Sequence, residues 1–135
     1  MKKILAIVPA RGKSLNLKNK NIKLFCGKPL ISYTITNALK SKYIDKVIVS
    51  TDSKQIAKIA LKYGAEVPFY RPKKLSTNRA KIIDAFFFTI KKLRKNNNID
   101  HFISLAPTSP LTEVKDINRS IELYFKKKAK TLVSV

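Results

Sequence analysis

The segment Pro9-Ala10-Arg11-Gly12-Lys13-Ser14 sets two cations, a glycine and a hydroxyl directly beyond an apolar run. Such groups suit a polyphosphate: the cations neutralise its oxygens, and glycine lets the backbone come close. The spacing is not that of a Walker A loop. That motif needs a glycine five residues before Gly12, where Ile7 stands, and a helix directly after Ser14, where Asn16, Asn19 and Asn21 favour loop. The glycine trio of a dinucleotide fingerprint is missing too. Further along, Thr108 and Ser109 sit between Pro107 and Pro110; Ser109-Pro110 can belong to a site or simply start a helix. Arg71, before Pro72, can also be a plain surface residue. No metal cluster is legible, because Cys26 and His101 are single and Asp52, Asp84, Asp100 and Asp116 are scattered. Asp52 and Asp116 fit helix starts, where the dipole favours a carboxylate.

Five β-rich runs, residues 3–9, 46–50, 66–70, 101–106 and 131–135, alternate with four helical patterns, the rhythm of a parallel α/β sheet. The first helix is expected to open at Pro29, bury Ile31, Ile35 and Leu39, and end near Lys42. The second has Asp52 as N-cap, Gln55 to complete a capping box and Gly64 to close it. The third should start near Asn78 and bury Ile82, Phe86 and Ile90, with Phe87 and Phe88 also in the core. The fourth should start near Thr112 and bury Ile117, Ile121 and Phe125. Two connections stand out, residues 10–21 and 107–112. Open α/β sheets bind ligands beyond the carboxyl ends of strands where the winding reverses. A central first strand with the fourth beside it puts both connections there.

The 135 residues fit one domain, 1–135, with a single core. Hydrophobic residues make up 44%, with no apolar run near the roughly 20 residues that span a bilayer, which argues against a membrane segment. The opening apolar stretch is brief, contains Pro9 and meets Arg11, so it reads as a strand and not as a signal peptide. A single cysteine fits a reducing cytoplasm. The charge of +21, from 29 basic and 8 acidic residues, attracts phosphates or nucleic acid without choosing between them. The lysines are spread over every segment. Lys91, Lys92, Lys126, Lys127 and Lys128 read as solvated helix faces with no aromatic stacking motif among them, so a nucleic-acid partner is not expected.

The string IVPARGKSLNLKNKNIKLFCGKPLISYTI resembles the N-terminal signature of the N-acylneuraminate cytidylyltransferase family, in which PARGGSK leads into KNI and then GKPLI. VIVSTDS, YGAEVPFYRP, LAPTSPL and LVSV follow in the family's order and spacing, so the resemblance spans essentially the whole chain. It implies a three-layer, parallel-sheet, Rossmann-like nucleotide-diphospho-sugar transferase fold, truncated to its nucleotide-binding N-terminal portion. It also implies transfer of CMP from CTP to a sialic-acid-like keto sugar acid with release of pyrophosphate, Mg²⁺ as cofactor, and a homodimer. By the same resemblance, Arg11 and Lys20 are catalytic and meet the triphosphate. Gly12, Lys13, Ser14, Asn21 and Arg71 join them in binding nucleotide, and Thr108 and Ser109 face the sugar. The family's metal-binding aspartate pair belongs to the portion beyond this chain, so the metal ligands are unknown here. The alternative is a non-catalytic nucleotide-binding or subunit-interaction fragment. The missing half, Leu15 and Ala106 favour it; among the departures from the family pattern, Lys13 and Leu15 replace a glycine and a lysine, Asn78 an aspartate, Ala106 a glutamine and Thr112 an arginine.

Overall fold

The computed structural model describes residues 4–12, 20–77, 79–95 and 99–133. Strand β1 (Ile4–Pro9) runs at the centre of a parallel sheet, because its continuous apolar sequence tolerates cover on both faces. A small antiparallel hairpin follows, β2 (Leu24–Phe25) and β3 (Lys28–Pro29). Its turn places Cys26 and Gly27 at φ 49° and 84°, a conformation glycine adopts freely. Next come α1 (Leu30–Lys40), β4 (Ile44–Ser50), α2 (Lys54–Lys62), α3 (Ile82–Leu93), β5 (His101–Ser104) and α4 (Val114–Lys126). The sheet order is β4-β1-β5. The chain therefore leaves β1 to one side and returns to the other, so β1 and β5 flank the reversal.

Alternation along β1 divides the core between the two faces. Ala6 and Val8 join Val47 and Val49 of β4 beneath Ile31 and Ile35 of α1 and Ile56 and Ala60 of α2. Ile4 packs with Ile117 and Ile121 of α4. Leu5 and Ile7 point the opposite way, with Ile48, to Phe86 and Leu93 of α3. Helices thus cover both faces in three layers, and each fully buried Ile contributes about 1.5–3 kcal/mol. The fold agrees with the sequence expectation here.

Several local expectations are corrected. Residues 66–70 form no strand. Glu66 makes one parallel bridge with Ile48, after which Pro68 has no N–H to donate to a ladder. Residues 131–133 are not in a strand, since no neighbour pairs with them, and Ser134 and Val135 lie outside the described residues. Strand β5 stops at Ser104. The N-cap of α2 is Ser53, whose Oγ accepts the Ile56 N–H at 3.2 Å; Asp52 points elsewhere, and Gln55 is exposed. Gly64 does close α2, at φ 99°. Helix α3 begins at Ile82, and Asn78 is outside the described residues. Ile82 and Phe87 are exposed because they fall on the solvent side of α3, as Leu39 does on α1. Helix α4 begins at Val114, with the Glu113 N–H bonded to the Asp116 carboxylate at 3.2 Å.

Candidate functional site

Because β1, β4 and β5 are parallel, the connections after all three open at the same end of the sheet. The chain leaves β1 under tight control. Ala10 N–H donates to the Ser50 carbonyl at 2.9 Å, and Gly12 N–H donates to Asp52 Oδ1 at 2.8 Å. The Arg11 carbonyl accepts from Asn21 Nδ2 at 3.0 Å, while Arg11 Nη1 donates to the Thr77 carbonyl at 2.9 Å. Position 12 is crowded: a Cβ there would lie 3.1 Å from Ser53 Cβ, so a larger residue would require the neighbour to shift by a few tenths of an ångström.

Arg71 belongs to the same cluster. It is 7% exposed; its Nε donates to Ser50 Oγ at 3.1 Å and its Nη2 to the Ser50 carbonyl at 2.9 Å. Its own N–H reaches the Thr51 carbonyl at 2.7 Å. Burial lowers the guanidinium pKa from the usual arginine value; the Asp52 charge opposes that shift and the Arg11 charge adds to it. Arg71 and Asn21, which is also buried, therefore hold protein backbone in place. Lys20 heads a short 3₁₀ turn (Lys20–Ile22), half-buried and in no ion pair with a described residue.

The turn after β5 is arranged differently. Pro107 is buried, while Thr108 and Ser109 are exposed, with no partner for either hydroxyl among the described residues. The turn is held through backbone carbonyls: Thr34 Oγ1 donates to Ala106 at 3.2 Å and Asn37 Nδ2 to Thr112 at 2.6 Å. Beneath it lies a hollow of about 300 Å³ that Asn37, Ser104, Ser109 and Ser120 line with polar groups.

The structure thus brings Arg11, Gly12, Asn21 and Arg71 into one bonded cluster and sets Thr108 and Ser109 on a separate turn at the same end. Lys13 and Ser14 lie outside the described residues. Sequence reading missed Ser50 and Asp52, on which the cluster converges. Their position at the carboxyl end of a strand next to β1 was the available signal. Among the described residues no three His, Cys, Asp or Glu side chains stand close enough together to hold a metal ion by themselves. No helix among them is long and apolar enough to cross a membrane.

A family model described as cytidylyltransferase matches residues 5–135. The CMP-N,N'-diacetyllegionaminic acid synthase of Legionella pneumophila is 40% identical over 134 residues, covering 98% of this chain and 57% of that protein. The pseudaminic acid cytidylyltransferase of Campylobacter jejuni is 41% identical over 131 residues, covering 96% of this chain and 56% of that protein. The chain spans just over half the length of these curated relatives. A solved CMP:2-keto-3-deoxy-manno-octonic acid synthetase, complexed with CTP, superposes with a TM-score of 0.80 at 20% identity, over 95% of this chain and 49% of that one.

Proposed function

Since the chain belongs to the cytidylyltransferase family, we propose that it supplies the nucleotide half of an enzyme that transfers CMP from CTP to a sialic-acid-like keto sugar acid. The observation that supports this most is the cluster of Arg11, Gly12, Asn21 and Arg71 at the carboxyl end of the central strand, in a chain carrying the family's motifs in order. In the proposed reaction the anomeric hydroxyl attacks the α-phosphorus of CTP. A new P–O bond forms as the bond to the bridging oxygen breaks, and pyrophosphate leaves. Such a step is accelerated by fixed positive charge around the phosphate oxygens. Arg11 uses one donor on Thr77 and has four left for phosphate. Lys20 adds a second cation, Gly12 permits close approach, and Thr108 and Ser109 offer hydroxyls to the sugar. Mg²⁺ and a cytoplasmic setting belong to the proposal as well, with no ligand for the ion assigned among the described residues.

The alternative, a chain that binds nucleotide without turning it over, is favoured by Leu15 and Ala106 in place of the family's lysine and glutamine, in a chain that spans just over half the length of its curated relatives. One experiment addresses both readings. Calorimetry should show CTP bound more tightly than ATP. Pyrophosphate release with CTP, Mg²⁺ and a panel of nonulosonic acids should be slow for the chain by itself and faster once a relative's C-terminal part is supplied. Equal affinity for ATP and CTP sinks the nucleotide assignment; no CMP-sugar under any condition leaves the binding reading.

A further inference from the structure

We propose that Asp52 is the positioning residue of the phosphate loop, its carboxylate fixing the loop's height above the sheet through the Gly12 N–H. The proposal rests on the reading of that loop as a triphosphate site. Ordinarily an aspartate at a strand-to-helix junction caps the helix, and here that work is already done. Ser53 Oγ accepts from Ile56 N–H, and Thr51 Oγ1 accepts from Ser53 N–H at 3.1 Å. Asp52 instead reaches a residue 40 positions earlier, in a charge-assisted bond of 2.8 Å. The loop leans on the same spot: a Cβ at Gly12 would stand 3.6 Å from Asp52 Oδ1 as well as 3.1 Å from Ser53 Cβ.

The neighbouring bonds give the contact its leverage. Ala10, one step before Arg11, is tied to Ser50, and the Arg11 carbonyl is tied to Asn21. Asp52 therefore fixes the last of three successive residues, 10–12, each held by a bond of its own. Its charge also lies in the field of Arg71 together with that of Arg11. Removing the carboxylate takes the acceptor from the Gly12 amide and a compensating charge from the Arg71 guanidinium. An anion that merely competed with phosphate for the nearby guanidinium groups would act in the opposite sense, since its removal would tighten binding.

The test compares Asp52→Ala and Asp52→Asn with the unaltered chain by thermal melting, Gly12 amide exchange followed by NMR, and calorimetry with CTP and with pyrophosphate. Asp52→Ala is expected to fold, to exchange the Gly12 amide faster and to lose about tenfold or more in CTP affinity. Asp52→Asn, whose Oδ1 can accept the same N–H, should keep Gly12 protected and recover most of the affinity. Should Asp52→Ala not fold, Asp52→Ser, too short to reach Gly12, takes its place. Unchanged Gly12 exchange, or CTP bound as tightly as before or tighter, overturns the proposal. If the unaltered chain binds no CTP, the functional reading fails, while Gly12 exchange across the variants still decides whether Asp52 holds the loop.

Discussion

Arg71, buried and bonded twice to Ser50, and Thr108, exposed on a turn held only by backbone carbonyls, stand at the same end of one sheet under opposite conditions. On the β1–β4 side Arg71 and Asn21 spend donors on protein backbone. On the β5 side the hydroxyls are unspent, and nearby Leu111 is 80% exposed. A substitution at buried Arg71 should therefore be read first in stability, and one at a side chain with unspent donors or hydroxyls, Arg11, Thr108 or Ser109, in binding.

Arg71→Ala should cause the largest loss, about 3 kcal/mol of stability in urea denaturation, because the Ser50 carbonyl and hydroxyl then lose a charged donor while buried. A loss below about 1 kcal/mol would erase the contrast between the two sides. Arg11→Ala comes next, and its effect should appear in affinity. Its guanidinium is exposed apart from the Thr77 contact, so CTP binding should weaken roughly ten- to hundredfold in calorimetry while the melting temperature barely moves. Unaltered affinity would mean the loop attracts polyanions without discrimination. Ser53→Ala should cost about 1 kcal/mol in the same denaturation assay, as an N-cap does, with Gly12 amide exchange unaffected. Smallest of all, Thr108→Ala and Ser109→Ala should each change stability by less than about 0.5 kcal/mol. Their consequence should instead appear in the sugar-acid dependence of pyrophosphate release, measured with the C-terminal part of a relative present. A large stability loss there would place these hydroxyls with Arg71.

The central position of β1, the three-layer arrangement and the closure of α2 at Gly64 were legible because each leaves a periodic or conformational mark in a short window. Residues 66–70 misled because β-type side chains say nothing of whether a donor is available, and Pro68 removes one. Thr51-Asp52-Ser53 offers several capping residues in succession, and local pattern cannot say which of them turns inward. Only the side-by-side arrangement of β1 and β4, fixed by the register of Pro9 with Ser50, reveals that Asp52 faces Gly12. The hairpin around Cys26 and Gly27 escaped for another reason, since strands of two residues are too short to show a period. By resemblance Arg71 and Asn21 were expected at the nucleotide site. Their aim toward backbone was not, because the same residue types serve either purpose.

Strand β5 pairs with β1 on one side, and no described residue pairs with its other side. Its outer row of peptide groups is a ready template for any extended chain, and Phe102 beside it is 37% exposed. Most soluble proteins blunt such an edge with a bulge, a proline or a charge placed on it. Here the deterrent is diffuse: two copies, each carrying +21, repel before their edges meet. That protection is electrostatic and reaches only about 8–10 Å at physiological salt, so concentrated salt is expected to weaken it.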